Sequence, residues 1–359
     1  MRLFKIIIFA PVCVLLTSLV VWAVPDKSDT AGYVVTTFAG SGHKSHQDGA
    51  PGVASFNWPT GVTVLPDGRL FVADFSNNII RSIDAGGNVM TVAGVPGIGA
   101  LIDGKGKDAR LHGPDNIDAD SNGNIYIADA DNYSIRVLSV DGTVRTIAGS
   151  GKSGLRDGIG KEAEFGYPTG VAVYNDELLY VADRRNNIIR RIEIKSGKVT
   201  TLAGNGIAGL ADGFGVMAHF REPISLAVAS DGSVYVADSG NHAIRRITPE
   251  GKVTTIAGGS GGGYKDGDAK EALFKWPTGI ALDKDDKIFV CDSSNNKIRS
   301  ITVDGQVGTV AGMIMPGSFE GQAIRSTFSF PTGIDVALNG DIYVADSGNN
   351  KIRLITRGN

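Results

Sequence analysis

Short stretches of alternating apolar and polar residues recur along the chain, separated by turns that are rich in glycine and aspartate. The stretch Gly61–Leu65 alternates and ends at a Pro-Asp-Gly turn, after which the stretch Arg69–Asp74 follows. A polar link leads to a third stretch, Ile79–Ile83, and a further turn leads to a fourth, which ends in Ala-Gly. Alternation of period two between such turns is typical of short antiparallel strands. The pattern therefore predicts units of four strands.

This unit occurs six times. An Asp that ends the second predicted strand recurs at intervals of 54 or 55 residues, with a Pro fifteen residues before it and an Arg seven residues after it. Repeats at a fixed period indicate a repeat architecture, and four antiparallel strands per repeat are typical of a propeller blade. The six aspartates are Asp74, Asp129, Asp183, Asp238, Asp292 and Asp346.

The first and last units of the chain are complementary. Five units have four predicted strands, the sixth has three, and the stretch Tyr33–Gly40 stands alone before the first unit. Pairing that stretch with the last unit would close the ring and remove its open edges. The sequence therefore predicts an all-β fold over residues 33–359, a six-bladed β-propeller of four-stranded antiparallel blades. Its last blade is completed by an N-terminal strand.

The stretch Pro168–Gly204 resembles the NHL repeat, and the stretches Val236–Ile247 and Val344–Ile355 are close to the consensus of that family. The resemblance implies a six-bladed propeller over nearly all of the chain after its N-terminal segment. The family includes interaction domains, RNA binders and a few enzymes such as the peptidyl amidating lyase. The resemblance therefore implies the fold more firmly than the activity.

The N-terminal segment has the features of an export signal. Arg2 and Lys5 precede the apolar run Ile6–Val24, and small residues favour cleavage after Ala23. We expect a signal peptide over residues 1–23, a linker over 24–32 and a secreted or otherwise extracytoplasmic protein. The alternative is a retained signal-anchor with the propeller outside the membrane.

Charge and cysteine content narrow the function classes. The formal net charge of −3 comes without a clustered basic face, which argues against a nucleic-acid partner. After cleavage only Cys291 would remain, so no intramolecular disulfide is expected.

Candidate site residues are those that depart from the repeat, because residues present in every blade are expected to be scaffold. The links between the second and third strands carry departures in three consecutive blades, and the residues after the blade Pro depart in two. A charged, aromatic and imidazole group on one face would suit a small polar ligand or a partner loop. The predicted binding residues are Asp115, Asn116, Asp131, Tyr133, Arg184, Arg185, Ser225 and His242.

Two functions remain open on the sequence alone. The first is a non-catalytic, monomeric binding scaffold for a protein, peptide or glycan, with no cofactor. The second is a propeller hydrolase or lyase with a calcium or zinc ion in its central channel. The five histidines lie at unrelated repeat positions, and neither a nucleophile motif nor a metal-ligand spacing is present, so no catalytic or metal residue is predicted.

Overall fold

The computed structural model describes residues 32–358, which form a ring of six antiparallel sheets. This confirms the predicted six-bladed propeller. The predicted signal peptide lies outside the described residues, as does the predicted linker apart from Gly32. Over residues 32–358 we find no helix with the length and apolar character needed to cross a bilayer.

Each blade has four main strands, ordered from the central channel outward. Blade 1 contains Pro59–Val64, Leu70–Asp74, Ile79–Ile83 and Val89–Gly94. Blade 2 contains Pro114–Ala119, Ile125–Asp129, Ser134–Leu138 and Thr143–Ala148. Blade 3 contains Pro168–Tyr174, Leu178–Asp183, Ile188–Glu193 and Lys198–Ala203.

The remaining blades follow the same order. Blade 4 contains Pro223–Val228, Val234–Asp238, Ala243–Ile247 and Lys252–Gly258. Blade 5 contains Pro277–Leu282, Ile288–Asp292, Lys297–Ile301 and Gln306–Ala311. Blade 6 contains Pro331–Val336, Ile342–Asp346, Lys351–Arg357 and the N-terminal strand Tyr33–Ala39.

Short segments of the inter-blade loops add a fifth strand that the sequence analysis did not predict. In blades 2 to 6 these edge strands pair with the outermost main strand, and in blade 1 a single bridge joins Gly49 to Val89. They are Gly104–Lys105, Gly158–Ile159, Gly213–Phe214, Gly267–Asp268 and Gly321–Gln322. Four of them continue into 3-10 turns, Gly106–Asp108, Gly160–Glu162, Gly215–Met217 and Ala323–Arg325.

The ring closes in blade 6 through the N-terminal strand. Tyr33–Ala39 pairs antiparallel with Lys351–Arg357 on one side and with Gly321–Gln322 on the other. The predicted closure is therefore confirmed, and the strand that completes the ring has a partner on each side.

A 3-10 turn follows the second strand of each blade and lies on the same face as the inter-blade loops. The six turns are Phe75–Asn77, Ala130–Asn132, Arg184–Asn186, Ser239–Asn241, Ser293–Asn295 and Ser347–Asn349. The last Asn of each turn donates to a carbonyl of the preceding inter-blade loop, as Asn241 does to Gly209 at 2.7 Å.

The repeated Asp and Arg form one buried network in each blade. In blade 4 the Asp238 carboxylate accepts hydrogen bonds from Arg245 Nη1 at 2.8 Å, from Asn241 Nδ2 at 2.7 Å and from the Arg221 amide at 2.8 Å. We expected backbone donors from the turn that follows the Asp, whereas the amide comes from the loop that precedes the blade. Burying a charged pair is tolerated because nearly all of its polar atoms are paired, with Arg245 Nε as the exception.

The repeated aromatic residue three positions before the blade Pro packs between blades. Phe220 is buried among Ala182 and Ile189 of blade 3 and Val234 and Val236 of blade 4. In every blade except the second, where Leu111 replaces Phe, the network arginine lies over this ring, with its Cζ 4.9–5.2 Å from the ring centroid.

Candidate ligand-binding cavity

The six innermost strands begin at the blade prolines and surround a cavity at one mouth of the central channel. Its lining comes from the residue before the blade Pro, from the two residues after it and, in blades 1 and 3, from the first residue of the 3-10 turn. The cavity has a volume of about 300 Å³. This volume is within the range of small-molecule sites.

Five of the thirteen residues that line the cavity are aromatic. The residue before the blade Pro is aromatic in four blades, and the first turn residue is aromatic in blade 1. Trp58 and Phe330 stack with ring centroids 6.0 Å apart and planes 30° apart. The five aromatic residues are Trp58, Phe75, Tyr167, Trp276 and Phe330.

The residues directly before the blade prolines form the rim of the cavity, and several of them adopt an unfavourable backbone conformation. Trp58, Trp276 and Phe330 have φ values of 56°, 56° and 49°, and Glu222 at the same repeat position has 47°. Large side chains rarely occupy the left-handed region, and such strain is concentrated at functional sites. Blade 2 has Gly113 at this position, the residue type for which the conformation carries no steric cost.

The preceding blade holds each strained residue by its amide. The Trp58 amide donates to Asn350 Oδ1 at 2.9 Å, and the Phe330 amide donates to Asn296 Oδ1 at 2.9 Å. His242 replaces that Asn in blade 4, and its Nδ1 accepts from the Trp276 amide at 3.1 Å. The predicted binding residue His242 thus positions a cavity residue, although it does not itself line the cavity.

Polar side chains of all six blades also line the cavity, and the charged ones come from blades 2 and 3. Four predicted residues line the cavity: Asp115, Asn116, Arg184 and Ser225. Arg184 donates from Nε at 3.0 Å and from Nη2 at 2.5 Å to Glu222 Oε2. Its Cζ lies 5.9 Å from the Trp276 ring centroid, so the guanidinium has both an ionic and an aromatic neighbour.

Asp115 stands where four other blades have a threonine that ties adjacent innermost strands. Thr60, for example, donates from Oγ1 to the Asp115 carbonyl at 2.7 Å. Among the described residues, no group donates a hydrogen bond to the Asp115 carboxylate. Burial raises the pKa of Asp115 to about 7, Arg184 lowers it and the charge of Asp131 raises it further.

A close approach of neighbouring blades explains why the next residue is usually glycine. A Cβ on Gly61 would lie 2.7 Å from the Asp115 carbonyl oxygen, and one on Gly170 would lie 2.6 Å from that of Ile224. Asn116 and Ser225 occupy this position in blades 2 and 4, so this repeat position adds a polar side chain to the cavity only in those two blades.

The other predicted residues lie around the cavity and outside its lining. Arg185 is exposed, and its Cζ lies 4.5 Å from the Tyr167 ring centroid. Burial and the nearby Asp131 carboxylate raise the Tyr167 pKa. Tyr133 takes the left-handed position at the end of its turn, with a φ of 50°. Arg185 and Asp131 therefore lie next to a cavity residue, whereas Tyr133 is separate.

The aromatic wall was missed by sequence reasoning. The signal was present, since an aromatic residue directly precedes the blade Pro in four repeats. The six repeats share no single residue at the position before the Pro. A search for residues that depart from a shared repeat residue therefore could not detect it.

The opposite mouth of the channel is larger and more acidic, with a cavity of about 560 Å³. Asp118 and Asp335 line it, and burial raises their pKa values to about 7 and about 6. Each carboxylate accepts a hydrogen bond from a backbone amide of the next blade. The Val173 amide donates to Asp118 at 2.7 Å, and the Val64 amide donates to Asp335 at 2.8 Å. Within residues 32–358, no three His, Cys, Asp or Glu side chains are grouped as metal ligands. No step of the metal-dependent alternative can therefore be assigned to particular residues.

A family model described as NHL repeat matches residues 56–81, 220–247, 274–299 and 328–353. Each matched segment runs from the interblade aromatic residue to or just beyond the network arginine, and blades 2 and 3 contain the same aspartate–arginine pairs. This chain is an NHL-repeat propeller.

Relatives of the NHL propeller are longer proteins. The protein SUPPRESSOR OF QUENCHING 1, chloroplastic, from Arabidopsis thaliana is 32% identical over 287 residues. The match covers 75% of the NHL propeller but only 27% of that relative, so the chain spans about a quarter of its length.

Solved structures share the fold at low sequence identity. An auxiliary nutrient binding protein from Bacteroides ovatus superposes with a TM-score of 0.67 at 18% identity, covering 90% of this chain and 76% of that one. A streptogramin B lyase superposes with a TM-score of 0.55 at 16% identity, covering 90% and 97%. At these identities the likeness shows the fold alone.

Proposed function

We propose that this NHL propeller is an exported, non-catalytic binding scaffold that holds a ligand, or a segment of a partner, in the aromatic cavity. The observation that carries the proposal is the cavity itself, which combines five aromatic side chains with a carboxylate that has no protein partner. Pockets of this kind, apolar with a few polar groups, are the usual form of ligand sites.

The rim conformation supports the same function. A left-handed tryptophan costs roughly 1–2 kcal/mol relative to a glycine, and Gly113 shows that the repeat accepts glycine there. Large aromatic residues retained against that cost are consistent with selection for recognition. Tyrosine, tryptophan and arginine are also the residues that most often dominate binding interfaces.

The expected export of the protein and its low net charge indicate which class of partner it binds. The N-terminal segment favours export, which places a protein, peptide or glycan within reach. The fold neighbour described as a nutrient binding protein is consistent with such a role. The low charge of the molecule gives no support to a nucleic-acid partner.

Tryptophan fluorescence tests the proposal directly, because both tryptophans of residues 32–358 line the cavity. Titration with a panel of peptides, oligosaccharides and small amines should give a saturable spectral change with at least one of them. Tyr167→Ala keeps both reporters and should weaken that ligand by about tenfold or more.

Leu338→Ala provides the matched control, since Leu338 is 73% exposed at the opposite mouth. It should leave affinity unchanged. A ligand that is lost in Leu338→Ala and retained in Tyr167→Ala would place the binding site at the acidic mouth and refute the proposal.

A further inference from the structure

The charges around the aromatic cavity are unbalanced. Arg184 is already paired, because two of its N–H groups donate to one Glu222 oxygen. Asp131 lies 4.0 Å from His112 Nε2, and its charge acts on Tyr167, whose pKa it raises. Asp115 has no donor among the described residues. The cavity therefore presents a negative charge that the folded chain leaves without a hydrogen-bond partner.

Two rings of the same wall already have cations beside them. The Arg185 guanidinium carbon lies 4.5 Å from the Tyr167 centroid, and that of Arg184 lies 5.9 Å from the Trp276 centroid. Aromatic rings attract cations through their quadrupole, and the attraction increases when the cation is removed from water. These two arginines would repel a further cation, so it would pack against the other three rings, those of Trp58, Phe75 and Phe330.

We propose that the aromatic cavity receives an alkylated ammonium group, which packs against the rings and supplies the missing counter-charge to Asp115. This inference rests on the proposed function, because it assumes that the cavity is the binding site. It adds the chemical class of the ligand.

Hydrogen-bond capacity selects an alkylated ammonium over a primary one. A primary ammonium has three N–H donors, each of which needs an acceptor after burial. Besides Asp115, the lining carries the side-chain oxygens of Asn116 and Ser225 and three threonine hydroxyls, each of which already donates to a carbonyl of the neighbouring blade. A quaternary ammonium has no N–H group and pays no such penalty.

An anionic ligand fits the cavity less well. It would have to draw Arg184 away from Glu222 and would then lie beside the carboxylates of Asp115 and Asp131. The Arg184–Glu222 pair is partly exposed, so separating it costs only a modest amount, but like charges at close range repel each other.

Binding of a cation should be coupled to a proton. The groups that act on the pKa of Asp115 are Arg184, which lowers it, and Asp131, which raises it. Of the charged groups next to these, Glu222 pairs with Arg184, His112 lies 4.0 Å from Asp131, and Arg185 lies over the Tyr167 ring. With a pKa of about 7, the carboxyl is protonated below neutral pH and ionised above it. A bound cation favours the ionised form, so cation binding near pH 7 should release a proton and should strengthen as the pH rises.

Three small probes that share a hydroxyethyl group distinguish the effect of the ligand's charge on binding from the effect of its shape. Choline carries a trimethylammonium group, 3,3-dimethyl-1-butanol is its neutral isostere, and ethanolamine carries a primary ammonium. At pH 8 we expect choline to change the tryptophan fluorescence of the full chain saturably, with an affinity about tenfold higher than that of either other probe. At pH 5.5 the choline affinity should fall by about tenfold.

Asp115→Asn tests the carboxylate without changing the shape of the cavity. It should remove most of the preference for choline over the isostere and should abolish the pH dependence. Asp67→Asn, at the opposite mouth, is the matched control and should change neither. Comparison of the three probes in the unaltered chain tests the proposal even if Asp115→Asn fails to fold.

The outcomes distinguish this inference from the proposed function. Equal affinity for choline and its isostere, tighter binding of ethanolamine, or no saturable response to choline would overturn the ammonium ligand. If a neutral oligosaccharide or peptide still binds in a manner sensitive to Tyr167→Ala, the proposed function stands while the inference fails. If nothing that the chain binds responds to Tyr167→Ala, both fail.

Discussion

The arginine of each blade connects segments that lie far apart in the sequence. Arg245 donates from Nη1 to Asp238 and from Nη2 to Asp212, and it also donates to the carbonyls of Ala211 and His219. One buried side chain therefore fixes the blade to the loop that precedes it. The spacing of seven residues predicts the contact with Asp238, whereas the contact with Asp212 spans 33 residues and had no local signal.

The two carboxylates that pair with Arg245 should contribute different amounts to the free energy of unfolding. Asp238 is fully buried, whereas the Asp212 side chain is 49% exposed. Asp238→Asn should lower the free energy of unfolding by about 3 kcal/mol, because it weakens a fully desolvated ion pair. Asp212→Asn should cost only about 1 kcal/mol, since water can replace its contact.

Urea denaturation of both variants at pH 7 measures this difference. Equal losses for the two variants would mean that burial of Asp238 has no energetic consequence and would contradict our account of the network.

At the scale of elements, the inter-blade segments form part of the sheet and of the core. The sequence predicted their constant length and a structural role for their Asp-Gly pairs. It did not predict that two of their residues join the sheet edge, because so short a pairing in a glycine-rich loop leaves no periodicity to detect. In blade 6 Glu320 replaces the Asp of this loop. Its carboxylate accepts a hydrogen bond from the Thr37 amide of the outermost main strand at 3.1 Å, so this loop is also joined to the sheet.

The interblade aromatic residue offers a matched test, because blade 2 carries Leu111 in its place. Phe220→Ala should lower the free energy of unfolding by about 3–5 kcal/mol through the cavity that it leaves. Phe220→Leu reproduces the blade 2 residue and should cost less than about 1.5 kcal/mol, although it loses the contact with Arg245.

Thermal and chemical denaturation of the two variants check this prediction. A loss for Phe220→Leu as large as that for Phe220→Ala would show that the aromatic ring under the arginine matters more than filled volume.

For the whole molecule, closure by the N-terminal strand is the most consequential feature that the sequence predicted. Counting strands in the first and last repeats was sufficient, because a ring leaves no strand without a partner. The cavity was harder to predict. It forms where six repeats meet, and a single repeat contains no trace of which residues will face one another across the channel.

Removal of Tyr33–Gly40 should therefore affect the entire ring. A chain beginning at Ser41 would leave Lys351–Arg357 and Gly321–Gln322 without their shared partner. Exposed edges of this kind favour association with other chains, so we expect aggregation or a loss of several kcal/mol.

Light scattering and thermal melting measure the effect, with a chain beginning at Val24 as the reference. Identical melting and an unchanged monomer for the two chains would show that the ring does not depend on this strand.

The division between the buried network and the rim has a consequence for how such a protein can change. The residues that hold a blade together recur almost unaltered, while the residue before each proline varies from tryptophan to glycine, and its backbone is left-handed in five of the six blades. Each blade thus contributes one variable side chain to the rim of the cavity, and these side chains can be replaced one at a time. New specificities could arise by single substitutions at the rim, in nature or in the laboratory, with the ring beneath them left intact.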